Sequence, residues 1–160
     1  MEEQLKTAFM QLPECFVAHI VTKKGYHDEL AMDVLDYLLK KEGGGSYLAL
    51  HRPAKDVKKH AQDRGMDHER VFFNDVPSNF KAVQEAFGDL RKSGFQGFVM
   101  MDALHTLSAG QDHKKTKQFM HKMVHDIKRS EGKVVFLSSP ALDPKLLGSV
   151  GHLCDAVVVL

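Results

Sequence analysis

"GFVMMDALHTLSAG", residues 97–110, passes in one step from an apolar run to polar chemistry. Phe98, Val99, Met100 and Met101 lead straight into Asp102, and small polar residues follow. A short run with no polar face is the pattern of a strand covered on both sides. It predicts a strand over 97–102 with Asp102 at its carboxyl end. What the carboxylate does there depends on what else ends beside it.

On either side the same pattern repeats. "CFVAHIVT" (15–22), "SYLALH" (46–51), "RVFFND" (70–75), "KVVFLS" (133–138) and "DAVVVL" (155–160) read as further strands, apolar on both faces. Amphipathic stretches separate them. "HDELAMDVLDYLLKKE" (27–42) places Leu30, Val34, Leu35, Leu38 and Leu39 at helical spacing, and the glycines at 43–45 end it. Pro53 suits the first turn of a helix in "PAKDVKKHAQDRG". Ser78 or Asn79 can cap "FKAVQEAFGDLRKSG", residues 111–132 form the longest helical stretch, and 143–150 a short one. Strands alternating with helices predict an α/β fold, a three-layer, doubly wound and mostly parallel sheet with helices on both faces, as one domain over 1–160. In such sheets ligands bind beyond the carboxyl ends of the strands. That edge collects Thr22, Lys23, Lys24, His51, Arg52, Asp75, Asp102, His105, Ser138 and Ser139.

The bulk numbers narrow the function. The 160 residues are 43% hydrophobic and 27% charged, enough apolar material for a core. A formal net charge of +1 gives no overall attraction to nucleic acid or membrane, so neither is an expected partner. No apolar run approaches the roughly 20 residues of a membrane span. The start, "MEEQLKTAFM", lacks the basic and then apolar pattern of a signal peptide. Cys15 and Cys154 sit in apolar strand-like runs and read as buried thiols of a reducing compartment. The expected location is the cytoplasm.

In their order and spacing these pieces resemble the RecA-like ATPase core, and within it the KaiC and RadA-like branch. "FVMMDALHTLS" looks like that family's Walker B strand and the segment after it. "FMHKMVHDIKRSEGKVVFLSSP" looks like its next helix and strand, ending at a small polar position, here Ser138. "HLCDAVVVL" looks like a closing strand of the family. The resemblance covers the chain from about residue 12 onward. It implies a P-loop NTPase fold, ATP with magnesium as cofactor, Asp102 as the magnesium-side carboxylate, and assembly into homo-oligomers.

Two departures stand against the catalytic part of that implication. A P-loop needs G-x-x-x-x-G-K-[ST] between the first strand and helix, because its backbone N–H groups wrap phosphates while its lysine and hydroxyl reach the phosphate oxygens and the metal. Here the segment is "TKKGYHDEL": Gly25 is its one glycine, and His27, Asp28 and Glu29 occupy the helix start. Carboxylates there repel a triphosphate and serve the helix dipole themselves. Many KaiC-like members carry a glutamate after the second strand to activate water. This chain has His51 and Arg52, and arginine is no base.

Other chemistries fit less. His121 and His125 share a helix face as zinc ligands would, but "HKMVHD" lacks the glutamate of the zinc-protease motif. The lysines and arginine of the same helix, from Lys114 to Arg129, could touch phosphates but carry no interleaved aromatics. Ser138, Ser139, His105 and Asp102 suggest a hydrolase, yet "LSSPA" is no nucleophile elbow. A flavodoxin-like or response-regulator reading wants acids after the first strand, where lysines stand.

The expected protein is therefore a non-catalytic, regulatory or scaffold domain of RecA/KaiC-like fold. It acts through contacts with a protein partner or a second copy. The alternative is a nucleotide-binding ATPase with a divergent phosphate loop. The expected nucleotide or anion edge comprises Lys23, Lys24, Gly25, His51, Arg52, Asp102 and Ser138, with Asp102 a magnesium ligand only if nucleotide binds. Leu5, Phe9, Met10 and Leu12 form an apolar stripe that must cover the chain's own sheet or a neighbour's.

Overall fold

The computed structural model describes residues 3–22, 25–109, 111–139 and 144–160. Six strands form one sheet in the order β3-β2-β4-β5-β1-β6, with every neighbouring pair parallel. They are β1 (Phe16–Val21), β2 (Gly45–Ala49), β3 (Val71–Asp75), β4 (Phe98–Asp102), β5 (Lys133–Ser138) and β6 (Ala156–Val159). The expected α/β fold with a parallel sheet is the observed one.

Among the described residues seven α-helices cover the sheet. On one face lie α1 (Glu3–Met10), α2 (His27–Glu42) and α3 (Ala54–Asp63). On the other lie α4 (Phe80–Lys92), α5 (Leu104–Ser108), α6 (His113–Arg129) and α7 (Pro144–Gly151). Strand alternation sorts the side chains between two cores. Phe98 and Met100 face α2, whereas Val99 and Met101 face α6. The same parity sends Asp102 to the α2 side.

Local chemistry sets the helix ends. Gly43 takes a left-handed conformation, φ 82°, and its N–H returns to the Leu39 carbonyl oxygen, closing α2. Asn79 caps α4 by accepting from the Ala82 N–H at 2.8 Å, and Asp112 caps α6 by accepting from the Lys114 N–H at 2.7 Å. Asp75, at the end of β3, accepts from the Ala54 N–H at 2.7 Å and so ties β3 to the start of α3. Gly97 precedes β4 because a Cβ there would stand 2.4 Å from the Gly44 carbonyl oxygen.

Several expectations change. The central strands are buried on both faces, but β3 and β6 are not, because they are the sheet edges. Phe72 on β3 is 66% exposed, and an open groove of about 600 Å³ lies between β3 and α4. Of the N-terminal stripe, Leu5 and Phe9 bury in the chain's own core while Met10 points to solvent. The five-residue α5 was hidden in a polar stretch too short to show helical periodicity. Cys15 and Cys154 lie just outside β1 and β6, half-buried and free. No helix among the described residues is long and apolar enough to cross a membrane.

Candidate functional site

Asp102 ends β4 in the middle of the carboxyl edge and is 1% exposed. Its Oδ1 accepts from His27 Nε2, and its Oδ2 accepts from the Tyr47 hydroxyl. Its backbone carbonyl oxygen also takes the Leu50 and His51 N–H groups, which fixes the chain beyond β2 against β4. Tyr47 reaches the carboxylate because the β2–β4 register pairs it with Met100, two residues before Asp102 and on the same face. His27 reaches it as the first residue of α2, where the helix meets the sheet. The other ring nitrogen, Nδ1, lies 3.0 Å from the Thr22 hydroxyl, and that hydroxyl donates to the Ser138 carbonyl oxygen at 3.3 Å.

Burial pushes the Asp102 carboxyl up. The hydrogen bonds from His27 and Tyr47, with the pull of His51, outweigh it and hold the carboxyl below its ordinary value. Burial, and then the adjacent carboxylate, keep the Tyr47 hydroxyl protonated far above the ordinary range, although Arg52 pulls the other way. Asp102 is thus an ionised acceptor with a donor on each oxygen.

Two more histidines stand at this edge. The rings of His27, His51 and His105 lie 5.2, 5.4 and 5.7 Å apart, edge to face. His105 Nδ1 accepts from the Ser139 N–H at 3.0 Å, so its free proton sits on Nε2. Burial, and then His27 and His51, lower its pKa. Arg52 faces Asp28 of α2 at 3.5 Å and His60 of α3 at 3.4 Å, and its Nη2 has no hydrogen-bond partner among the described residues. Among the described residues no group of three or more His, Cys, Asp or Glu is arranged to hold a metal ion.

The sequence-derived edge is assembled only in part. His51, Arg52 and Asp102 come together. Gly25 is exposed in the β1–α2 connection with φ 84°, and Lys23 and Lys24 lie outside the described residues. Ser138 departs from the expectation: parity turns its side chain to the α6 face, where its Oγ meets His19 Nε2 at 2.7 Å. The Ser-His-Asp reading separates for the same reason, because Asp102 takes His27, not His105. His121 and His125 are exposed on α6. Sequence reasoning missed Tyr47 and His19, polar side chains inside apolar strands. It read His27 as an obstacle to phosphate and not as the partner of Asp102.

No protein-family profile and no curated protein matches the chain. Among solved structures it is similar to the crystal structure of a KaiC-like protein from the hyperthermophilic archaeon Pyrococcus horikoshii OT3. The TM-score is 0.74 at 14% identity, over 93% of this chain and 72% of that one. At this identity the likeness speaks for the fold, and with the strand order and the two helix layers it leads to one statement: the chain has a KaiC-like, RecA-type α/β fold.

Proposed function

We propose that this domain keeps the KaiC-like architecture but has closed its nucleotide site with its own side chains, and works through protein contacts instead of hydrolysis. One observation carries the reading. Both oxygens of the carboxylate that would face a magnesium ion are taken by the His27 ring and the Tyr47 hydroxyl. A magnesium site keeps its carboxylates open toward oxygen ligands and water, so these residues do not fit the ion. The start of α2 supports the same conclusion, since His27, Asp28 and Glu29 hold the positions where helix N–H groups would receive phosphate. The degenerate phosphate loop, with Gly25 as its one glycine, belongs to this reading.

The second reading is a divergent nucleotide-binding ATPase. His51, open to solvent at the edge, and the unpartnered Nη2 of Arg52 favour it, because both carry N–H groups an anion could use.

Thermal unfolding with and without magnesium-ATP separates the two. The expected result is an unchanged midpoint and no magnesium-dependent turnover. Ligand at about 100 times its dissociation constant would stabilise the fold by about 2.7 kcal/mol. A shift of that size, or turnover that vanishes in Asp102→Asn, would reject the closed-site reading.

A further inference from the structure

The outer face of α6 has no use in the site. Thr116, Phe119, Met120, Met123, Val124 and Ile127 bury on one side of this helix. Helical spacing then lines Lys114, Lys117, His121, His125 and Lys128 in one outward row, with Lys115, Lys122 and Arg129 beside it. All eight are exposed. From Lys114 to Lys128 the row extends over about 21 Å at ~1.5 Å per residue, and the half-buried Asp126 lies beside it. Among the described residues, only Lys128 of the row has an ionic partner, Asp155 at 3.7 Å. Elsewhere some exposed helical cations are paired within their own helix, as in Lys40–Asp36, Lys59–Asp63 and Lys81–Glu85. With a net charge of +1 for the whole chain, this is a local concentration of positive charge and not a general excess.

We infer that this face docks an acidic, single-element segment of a partner protein, with its Asp and Glu side chains set along the α6 row. The inference rests on the protein-contact reading above and names the chemistry of the partner. Charge complementarity carries it. On the side toward α4 the row is bordered by Asp126, Gln84, Phe87 and Arg91, and at its end by Asp155. A helix about 10–12 Å across fits along one such row. With a net charge of +1 the whole chain offers a nucleic acid duplex no general attraction, and α6 offers no outward aromatic on which unpaired bases could stack. The apolar side of α6 is spent on its own sheet, so nothing remains to enter a lipid interface.

The test uses the full chain and a fluorescein-labelled peptide of four Glu-Glu-Ala-Ala repeats, read by fluorescence anisotropy. Binding at low ionic strength should weaken steeply with salt. The variant Lys114→Gln/Lys117→Gln/Lys122→Gln should lose about tenfold or more in affinity. The control Lys55→Gln/Lys58→Gln, exposed cations of α3, should stay within about twofold. Circular dichroism confirms that both variants keep the fold. Absence of binding, or an equal loss in the control, overturns the proposal. So does tighter binding of a random-sequence DNA duplex or of phosphatidylserine vesicles through the same three lysines, since that makes the partner a different polyanion. The magnesium-ATP measurement stays independent: nucleotide binding would sink the closed-site reading and leave the peptide result standing.

Discussion

Two buried histidines meet the sheet from opposite faces, and their partners give them different characters. His27 comes from the helix on one face and donates to an ionised carboxylate. His19 sits within β1, faces α6, and has only the hydroxyl of Ser138 for its Nε2, while its Nδ1 has no partner. Burial drives the His19 pKa down to about 4. At the carboxyl edge the ionised Asp102 is held inside by a donor on each oxygen. A ring that meets a neutral hydroxyl must stay neutral. Strand parity sends Asp102 to the α2 side, where His27 meets it, and sends His19 and Ser138 to the α6 side.

The largest effect should come from removing the Asp102 carboxylate. Asp102→Ala leaves the His27 ring and the Tyr47 hydroxyl buried without their acceptor. Breaking such a buried charged network costs about 3–5 kcal/mol, which urea denaturation would read. A gain in stability would break the comparison, because it would mark Asp102 as a strained residue kept for a ligand.

Acid should expose the contrast next. His19 binds its proton near pH 4 when folded and near 6.5 when unfolded. The unfolded chain therefore takes up a proton first as the pH falls. Stability is full above about 6.5 and is lost progressively down to about 4, by about 3 kcal/mol in all. Denaturation midpoints across that window should fall more steeply for the native chain than for His19→Gln. Equal slopes would remove His19 from the account.

The smallest effect belongs to Tyr47→Phe. One donor is lost while the ring still fills its place between Phe73 and the β4 side chains. The cost is about 1–2 kcal/mol, and in the Asp102→Ala background it should largely disappear. Full additivity of the two changes would show that the hydroxyl and the carboxylate do not act together.

The strands and helices could be read from the sequence because burial on two faces leaves runs of apolar residues, and burial on one leaves helical spacing. Asp102 was visible as the polar end of such a run. Its partners were not. Tyr47 sits in "SYLALH" as one more large side chain, and only the β2–β4 register turns its hydroxyl toward a residue 55 positions away. His19 was hidden in "CFVAHIVT", where the apolar neighbours announce a strand but not which face the ring takes. Exposure of Phe72 was invisible too, because an edge strand and a central one share a composition until the sheet order is known.

The strand order has a further consequence, for a chain that is synthesised from one end. β1 emerges before the other five strands, yet both of its neighbours, β5 and β6, follow only after β2, β3 and β4. About 110 residues separate Val21 from Lys133, where the β5 strand begins. At 5–20 residues per second that interval is roughly 6 to 20 s. β2, β3 and β4 can pair in the meantime, since all three lie between Gly45 and Asp102. During that time an apolar strand waits with both edges unpaired and His19 in water. Whatever shelters it then, α1 and α2 folding over it or a chaperone, acts before the two histidines have taken their separate sides.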